Sequence, residues 1–421
     1  MIKDKKLTFW IKILLIYTPF FILLLILRTR GGYDWEQYVW KDWSLADLKN
    51  GIAGTYNSWT DCLPIYHLIN FFANKISGGI LGFESNLFSI RAVSLCFELG
   101  STLILFSLLN NKWHKWHKAV LYSLFYFLNV AVIYNSLVWG QLDVAMTFFL
   151  FASVICGYKK KWLPAFVLYL LAVNFKLQAL LFLPLMLLIF LPMIRQSKSY
   201  KKLSLSFLTA IAVNFIIYLP FLLSHEFPGL WNDIVDSFNT DSFVSKGAFN
   251  IWYLLFQKNP MEFSVYVKFL GISYKVWGWL LFGISSILLL IFLFKKNIRS
   301  NLTIRKYMLT RKDAFAAFSL ITLLFFFLNT EMSGRDLHPA FIFLAGYAMV
   351  YRKPWPFILI SIAYFLNMEA LFHFMKSHHY HTMIYMPWFA AVLYLSGILL
   401  LSADLLLAHG KRIKNLSVNI L

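Results

Sequence analysis

The chain has 421 residues, of which 60% are hydrophobic and 14% are charged, and its mean hydropathy is +0.65. Such a composition lies far outside the range of soluble domains. The formal net charge is +20, but most Lys and Arg residues fall in clusters in every second loop, which is the positive-inside pattern of a membrane protein and not a nucleic-acid-binding surface.

Apolar segments recur along the whole chain and predict about twelve transmembrane helices with both termini on the inner side. The first is a retained helix rather than a signal peptide, because no small-residue cleavage site follows it. No separate soluble domain has room to fold, so we expect a single integral membrane domain over residues 1–421. The predicted spans are 9–27, 87–109, 119–137, 144–158, 162–175, 179–194, 203–223, 276–294, 313–328, 339–351, 355–372 and 383–405.

Two of the predicted outer segments are long, at residues 28–86 and 224–275. Within the first, the stretch PIYHLINFFANKI places Ile65, Phe72 and Ile76 on one helical face, whereas His67 and Asn70 lie on the other. This periodicity predicts an amphipathic helix that lies in the membrane interface.

Several predicted helices are shorter than the roughly 20 residues needed to cross the hydrocarbon core. The segments that join them on the outer side should therefore lie below the membrane surface, where irregular backbone is tolerated only beside protein or water. Each of these tips carries charge, and ionisable groups at membrane depth usually mark function. The tips are VWGQLD (138–143), NFKLQ (174–178) and NTEMSGRDLHP (329–339). Together they predict a polar cavity that opens outward.

The acidic residues near these segments allow two interpretations. Asp34 opens a capping-box pattern with Gln37, Asp61 precedes a helix start, and Asp143 stands where the next helix begins. Each can be a helix cap, a functional carboxylate, or both. Asp336 is expected to cap the helix that contains Pro339.

Lys176 and Arg335 have weaker structural explanations, because a cation in a recessed polar tip suits a phosphate or a carboxylate. The histidines at 373, 378, 379 and 381 lack a carboxylate or cysteine at ligand spacing, so we predict a wet loop rather than a metal centre. The sequence also has no Walker loop and no dinucleotide fingerprint, which disfavours a nucleotide-activated substrate.

In order, these motifs resemble those of the GT-C superfamily of polyprenyl-phosphate-sugar-dependent glycosyltransferases. The nearest members are the endoplasmic-reticulum glucosyltransferases of N-glycan assembly and the bacterial relatives of the second GPI mannosyltransferase. The similar elements are the acid and tryptophans of 34–40, Asp61 with Pro64, VWGQLD, FKLQALLFLP (175–184) and KGAFNIW (246–252). The segment EMSGRDLHPA (331–340) departs from the family, because Ser333 and Gly334 stand where the family has histidine and glutamate.

The resemblance implies a GT-C fold and an inverting transfer of a hexose from a polyprenyl-phosphate-linked donor to an acceptor hydroxyl. The acceptor is a glycan, a lipid-linked saccharide or a cell-envelope polymer. The resemblance assigns Asp34 as catalytic base, with Asp61 and Asp143 as alternatives. Donor-phosphate binding falls to Arg335, Lys176, His338 and Gln178. Sugar or acceptor binding falls to Asp61, Gln141, Asp143, Trp139, Asn250, Trp252 and Glu331.

No metal or other cofactor is required in principle, since a lipid phosphate is an adequate leaving group; a divalent metal is the alternative. The partners expected are the lipid-linked donor, the acceptor and membrane lipid, with no nucleic acid. The bacterial form of WGQLD favours location in a bacterial plasma membrane, with the site facing outward. The endoplasmic-reticulum membrane is the alternative. Two other functions stay open, a transporter or flippase of lipid-linked saccharides and a glycan polymerase or ligase.

Overall fold

The computed structural model describes residues 2–29, 34–57, 60, 62–76, 88–110, 116–196, 200–224, 227–236, 242–300 and 309–418. Over these residues the protein is mostly α-helical. The helices group into two compact units. One contains residues 1–180 and 199–240, and the other contains residues 181–198 and 241–421.

Over its described residues, the first unit contains helices and no β-strand. A 3₁₀ helix, Ile52–Asn57, precedes α3, and a π-helix, Tyr134–Val138, follows α6. The α-helices are α1 (Ile2–Thr29), α2 (Asp34–Asn50), α3 (Pro64–Ile76), α4 (Phe88–Leu109), α5 (Trp116–Phe127), α6 (Val130–Ile133), α7 (Asp143–Tyr158), α8 (Trp162–Phe175), α10 (Tyr200–Leu223) and α11 (Phe227–Asp236). The chain passes to the second unit within the 3₁₀ helix Leu177–Phe182.

The second unit adds two short β-ladders to its helices. Strand β1 (Ser245–Lys246) pairs in parallel with β4 (Met332–Ser333), and β2 (Lys268–Phe269) pairs antiparallel with β3 (Ile272–Ser273). Its α-helices are α9 (Leu183–Gln196), α12 (Trp252–Leu255), α13 (Tyr274–Ser300), α14 (Arg311–Leu328), α15 (Ala340–Tyr351), α16 (Pro354–Phe372) and α17 (Pro387–Val418). Its 3₁₀ helices are Pro260–Glu262, Gly334–Leu337 and Met383–Tyr385.

Within the described ranges, five helices are long and apolar enough to cross a membrane. They are Arg91–Leu109, Tyr200–Leu223, Tyr274–Lys296, Pro354–Phe372 and Pro387–Leu407. A sixth span is formed if Trp116–Phe127 and Val130–Val138, bent by 46°, cross together. Shorter apolar helices occur at Leu14–Ile26, Asp143–Tyr158, Trp162–Phe175 and Leu177–Phe190. The chain is thus an all-α membrane protein with several spans, and the number twelve stays a prediction.

Aromatic rings make close contacts in both units. In the first unit a Cβ on Gly100 would lie 2.8 Å from the ring of Phe148, so only glycine lets α4 and α7 approach this closely. In the second unit the Phe318 ring stacks on Phe182 and Phe343, with centroids 5.4 and 4.8 Å apart. Such stacked pairs add to the free energy gained by burying their area.

Helix α3 confirms the predicted amphipathic helix, and its polar face turns inward. His67, Asn70 and Asn74 are buried, whereas Phe72 and Ile76 are 55% and 86% exposed. An apolar face left outside and a polar face packed inside suit a helix whose outer surroundings are lipid.

Candidate functional site

The tip VWGQLD is formed by the π-helix Tyr134–Val138 and the turn after it. Gly140 has a φ of +79°, which glycine adopts without steric cost. The Gln141 amide donates to the Asn135 carbonyl at 3.1 Å, so the widened turn stays closed by hydrogen bonds. Single π-turns are frequent at functional sites. This one places Asp143 at the first position of α7.

Asp143 and Lys176, predicted from two separate tips, meet in an ion pair within the first unit. Lys176 Nζ lies 2.9 Å from Asp143 Oδ1, and the two side chains are 27% and 8% exposed. The second carboxylate oxygen, Oδ2, is buried and accepts no hydrogen bond from any described residue. The pair therefore fixes a partly exposed ammonium group and leaves one acceptor oxygen for a further donor.

The other predicted residues of these two tips are partly or fully covered. Trp139 and Gln141 are 6% and 1% exposed, and Gln178 is half-buried in the 3₁₀ helix after α8. The Ser94 hydroxyl of α4 donates to the Gln141 carbonyl at 3.0 Å. The structure thus brings the VWGQLD backbone against α4. Roles for these side chains in sugar or donor binding stay predictions.

Glu98 is a buried carboxylate inside the span Arg91–Leu109, and the sequence analysis missed it. Tyr126 donates to Glu98 Oε2 at 2.6 Å, and Ser136, within the π-helix, donates to Oε1 at 2.7 Å. Glu98 is 2% exposed. The predicted site acids all lie in outer segments, whereas Glu98 lies within the predicted span 87–109. A glutamate inside an apolar run was the available signal.

A second missed cluster joins α2 to α3. His67 Nδ1 lies 3.0 Å from Asp47 Oδ1, and His67 Nε2 lies 3.0 Å from the Thr60 hydroxyl. The Thr55 hydroxyl donates to the same Asp47 oxygen at 2.9 Å. All of these side chains are almost completely buried. A carboxylate, an imidazole and a hydroxyl in line can hold or relay a proton, and they also fix two helices to each other.

The aromatic residues of the first long segment pack on this cluster. Trp40 and Trp43 are buried on α2 and contact Tyr66 of α3, with ring centroids 5.4 and 6.0 Å away. Asp34 is the first residue of α2, but its side chain is not among those the structure describes, and Asp61 lies outside the described residues. Their roles stay predictions.

In the second unit, side chains of the segment KGAFNIW form hydrogen bonds with the segment that follows α14. The Asn250 amide and the Trp252 indole both donate to the Asn329 carbonyl, at 3.2 and 3.0 Å. Asn329 is the C-cap of α14. These two side chains satisfy a helix terminus that apolar surroundings would otherwise leave unpaired. A role in sugar binding has to be additional to this one.

Glu331 lies at the start of the same tip in a strained conformation. Its φ is +64°, which is uncommon for a residue with a side chain. Its carboxylate lies 3.2 Å from Lys275 Nζ, with side-chain exposures of 15% and 20%. Strain of this kind persists where the surrounding contacts hold it, and it gathers at ligand sites.

Arg335 and His338 follow within the same tip. Arg335 is half-buried in the 3₁₀ helix Gly334–Leu337, and His338 is completely buried with its ring over Phe341. The expectation that Asp336 caps the helix that contains Pro339 is wrong, because α15 has Pro339 at its N-cap and no side-chain cap. The Asp336 carboxylate instead accepts from the Ser333 amide at 2.9 Å, so it closes a capping box around the preceding 3₁₀ helix.

The histidine-containing loop after α16 is organised by Glu369. Its carboxylate accepts from the Met375 amide at 2.9 Å and from the Tyr380 hydroxyl. Desolvation and this hydrogen bond raise the pKa of Tyr380. In α12, burial raises the pKa of Tyr253 to about 12. Among the described residues, no group of three or more His, Cys, Asp or Glu side chains could hold a metal ion.

No protein-family model matches the chain, and no curated protein matches it. The resemblance to glycosyltransferases therefore depends on the motifs of this sequence alone.

Proposed function

We propose that the protein is an inverting GT-C glycosyltransferase that moves a hexose from a polyprenyl-phosphate-linked donor to an acceptor hydroxyl on the outer face of the membrane. The observation that carries the proposal is the Asp143–Lys176 ion pair. Two polar tips, each expected at membrane depth from helix length, supply one carboxylate and one cation that meet at 2.9 Å. The Asp143 carboxylate of this pair is nearly buried and therefore costly to desolvate, which makes a purely packing role a weak explanation.

In the proposed reaction, the bond between the anomeric carbon and the donor phosphate breaks while the acceptor oxygen bonds to that carbon from the opposite face. The acceptor proton passes to a carboxylate, and the polyprenyl phosphate leaves with its charge. Lys176 would stabilise that charge from a position fixed in advance by Asp143, which is the general form of electrostatic catalysis. Asp34 is our first choice as base, with Asp61 and Asp143 as the alternatives.

For the second unit, the matching prediction concerns Arg335. Its planar guanidinium suits bidentate binding of phosphate, which an ammonium group cannot reproduce. Arg335 follows strand β4, which pairs with β1, and it lies within the capping box formed by Ser333 and Asp336. A residue on a fixed backbone binds a charged group at a smaller entropic cost than one on a mobile loop.

The test is transfer by the purified protein from a panel of polyprenyl-phosphate sugars, with release of polyprenyl phosphate as the measurement. We expect release with at least one donor from wild type and from Lys258→Met, a control at an exposed lysine. We expect none from Lys176→Met. If no sugar in the panel is released in the presence of a range of acceptors, the proposal fails.

A transporter of lipid-linked saccharides is the second candidate, and Glu98 is the observation that favours it. A buried carboxylate within a span, hydrogen-bonded to Tyr126 and Ser136, is typical of ion and proton pathways in transporters. In proteoliposomes, a transporter would move the lipid-linked sugar between leaflets and release no polyprenyl phosphate. A transferase would release polyprenyl phosphate in detergent as well.

A further inference from the structure

A cavity of about 290 Å³ lies between the C-terminal halves of α4 and α7 in the first unit. Most of its lining is aliphatic, with Leu103 and Leu108 from α4 and Ile155 from α7. Its volume is close to the lower limit for pockets that hold small ligands. Because α4 is a membrane span, an apolar cavity on its side is open to lipid chains rather than to dissolved molecules.

Two lysines, Lys159 and Lys161, complete the lining of this cavity. Both are exposed, and neither forms an ion pair with a described residue. They belong to a basic cluster that the positive-inside rule assigns to the inner face of the membrane. An apolar cavity bordered by two exposed ammonium groups at a membrane surface complements a phospholipid, whose acyl chain is apolar and whose headgroup carries a phosphate.

This cavity is separate from the proposed reaction site. Asp143 begins α7, and the lysines follow its end at Tyr158. A helix of 16 residues is roughly 24 Å long, so the two sites lie at opposite ends of α7.

We propose that this cavity binds an anionic phospholipid of the inner leaflet, with an acyl chain along Leu103, Leu108 and Ile155 and the headgroup phosphate between Lys159 and Lys161. The lysines supply the selectivity for charge, and the groove supplies the selectivity for a chain. Neither feature alone distinguishes a lipid from a free anion or from any detergent. The inference does not depend on the glycosyltransferase proposal.

The test is lipid binding by the purified full-length protein in detergent, measured by native mass spectrometry during titration with dioleoyl phosphatidylglycerol or dioleoyl phosphatidylcholine. We expect one phosphatidylglycerol to be retained preferentially. Each lysine near an anionic headgroup contributes about fivefold in affinity, so Lys159→Gln with Lys161→Gln should lower it on the order of 25-fold. Ala152→Phe should also abolish retention, because it fills the groove and leaves the lysines in place.

The matched control is Lys201→Gln with Lys202→Gln, two exposed lysines at the start of α10 that do not line the cavity. This variant should bind as wild type does. Equal loss in both double variants would mean general attraction of anions, and equal retention of phosphatidylcholine would mean an apolar groove without headgroup recognition. Competition by inorganic phosphate at millimolar concentration would mean a free-anion site. Each of these three results overturns the proposal, as does unchanged binding by the Lys159→Gln, Lys161→Gln variant.

Discussion

Removing either partner of the Asp143–Lys176 ion pair should destabilise the protein by different amounts. The two side chains are 8% and 27% exposed, so the aspartate is the more deeply desolvated partner. Lys176→Met leaves a nearly buried carboxylate without its cation, and we expect a cost of about 3 kcal/mol, at the lower limit for breaking a buried pair. Asp143→Asn leaves an ammonium group that can still reach water, and we expect a cost of about 1 kcal/mol.

The double variant separates the ion pair from other effects. With both charges removed, no uncompensated carboxylate remains, so Asp143→Asn with Lys176→Met should be more stable than Lys176→Met alone. With a coupling free energy of about 2 kcal/mol, the double variant should be destabilised by about 2 kcal/mol, which is less than Lys176→Met alone. Unfolding free energies can be measured by titrating mixed micelles with a denaturing detergent, with the Tm as a second measure.

Two results would contradict this expectation about the ion pair. If Asp143→Asn is at least as destabilising as Lys176→Met, the carboxylate is not the more costly group to leave unpaired. If the two effects add without coupling, the contact contributes nothing. The same double variant also tests function: the proposed reaction requires it to stay inactive in transfer although part of its stability returns.

Three further predictions concern activity and stability. Asp34→Asn should lower turnover on the order of 10²–10⁴-fold if Asp34 is the base, because asparagine has a similar capping ability but accepts no proton. Glu36→Gln is the control, and normal release of polyprenyl phosphate by Asp34→Asn would assign the base to another residue. Arg335→Ala should lower kcat/KM for the donor by an amount equivalent to roughly 2–5 kcal/mol, and Arg335→Lys should restore part of it. Wild-type kinetics in Arg335→Ala would exclude Arg335 as a phosphate ligand. His67→Ala should lower stability by about 1–3 kcal/mol, because its buried hydrogen-bond partners lose their contact. The exposed His378→Ala should leave the Tm unchanged, and an equal effect of both would argue against the cluster.

The sequence by itself determined the features that depend on local pattern. Long apolar runs predicted helices because every backbone polar group in lipid must be paired within its own segment. The period of PIYHLINFFANKI predicted α3, since one helical face repeats about every 3.6 residues. The short apolar runs likewise predicted that the helices would be interrupted at 138–143 and at 174–178, and the structure has non-helical residues at both places.

Tertiary structure alone decided which residues meet. Lys176 reaches Asp143 across 33 positions, and Glu98 reaches Ser136 across 38, through the packing of separate helices. No local pattern carries such distances, because hydropathy reports how much of a side chain is buried and not which partner it is buried against. Asn250 is a clear example. Its place in a family-like motif predicted a ligand contact, which stays a prediction. The structure adds a hydrogen bond to the end of α14, and that contact depends on a neighbour 79 residues away.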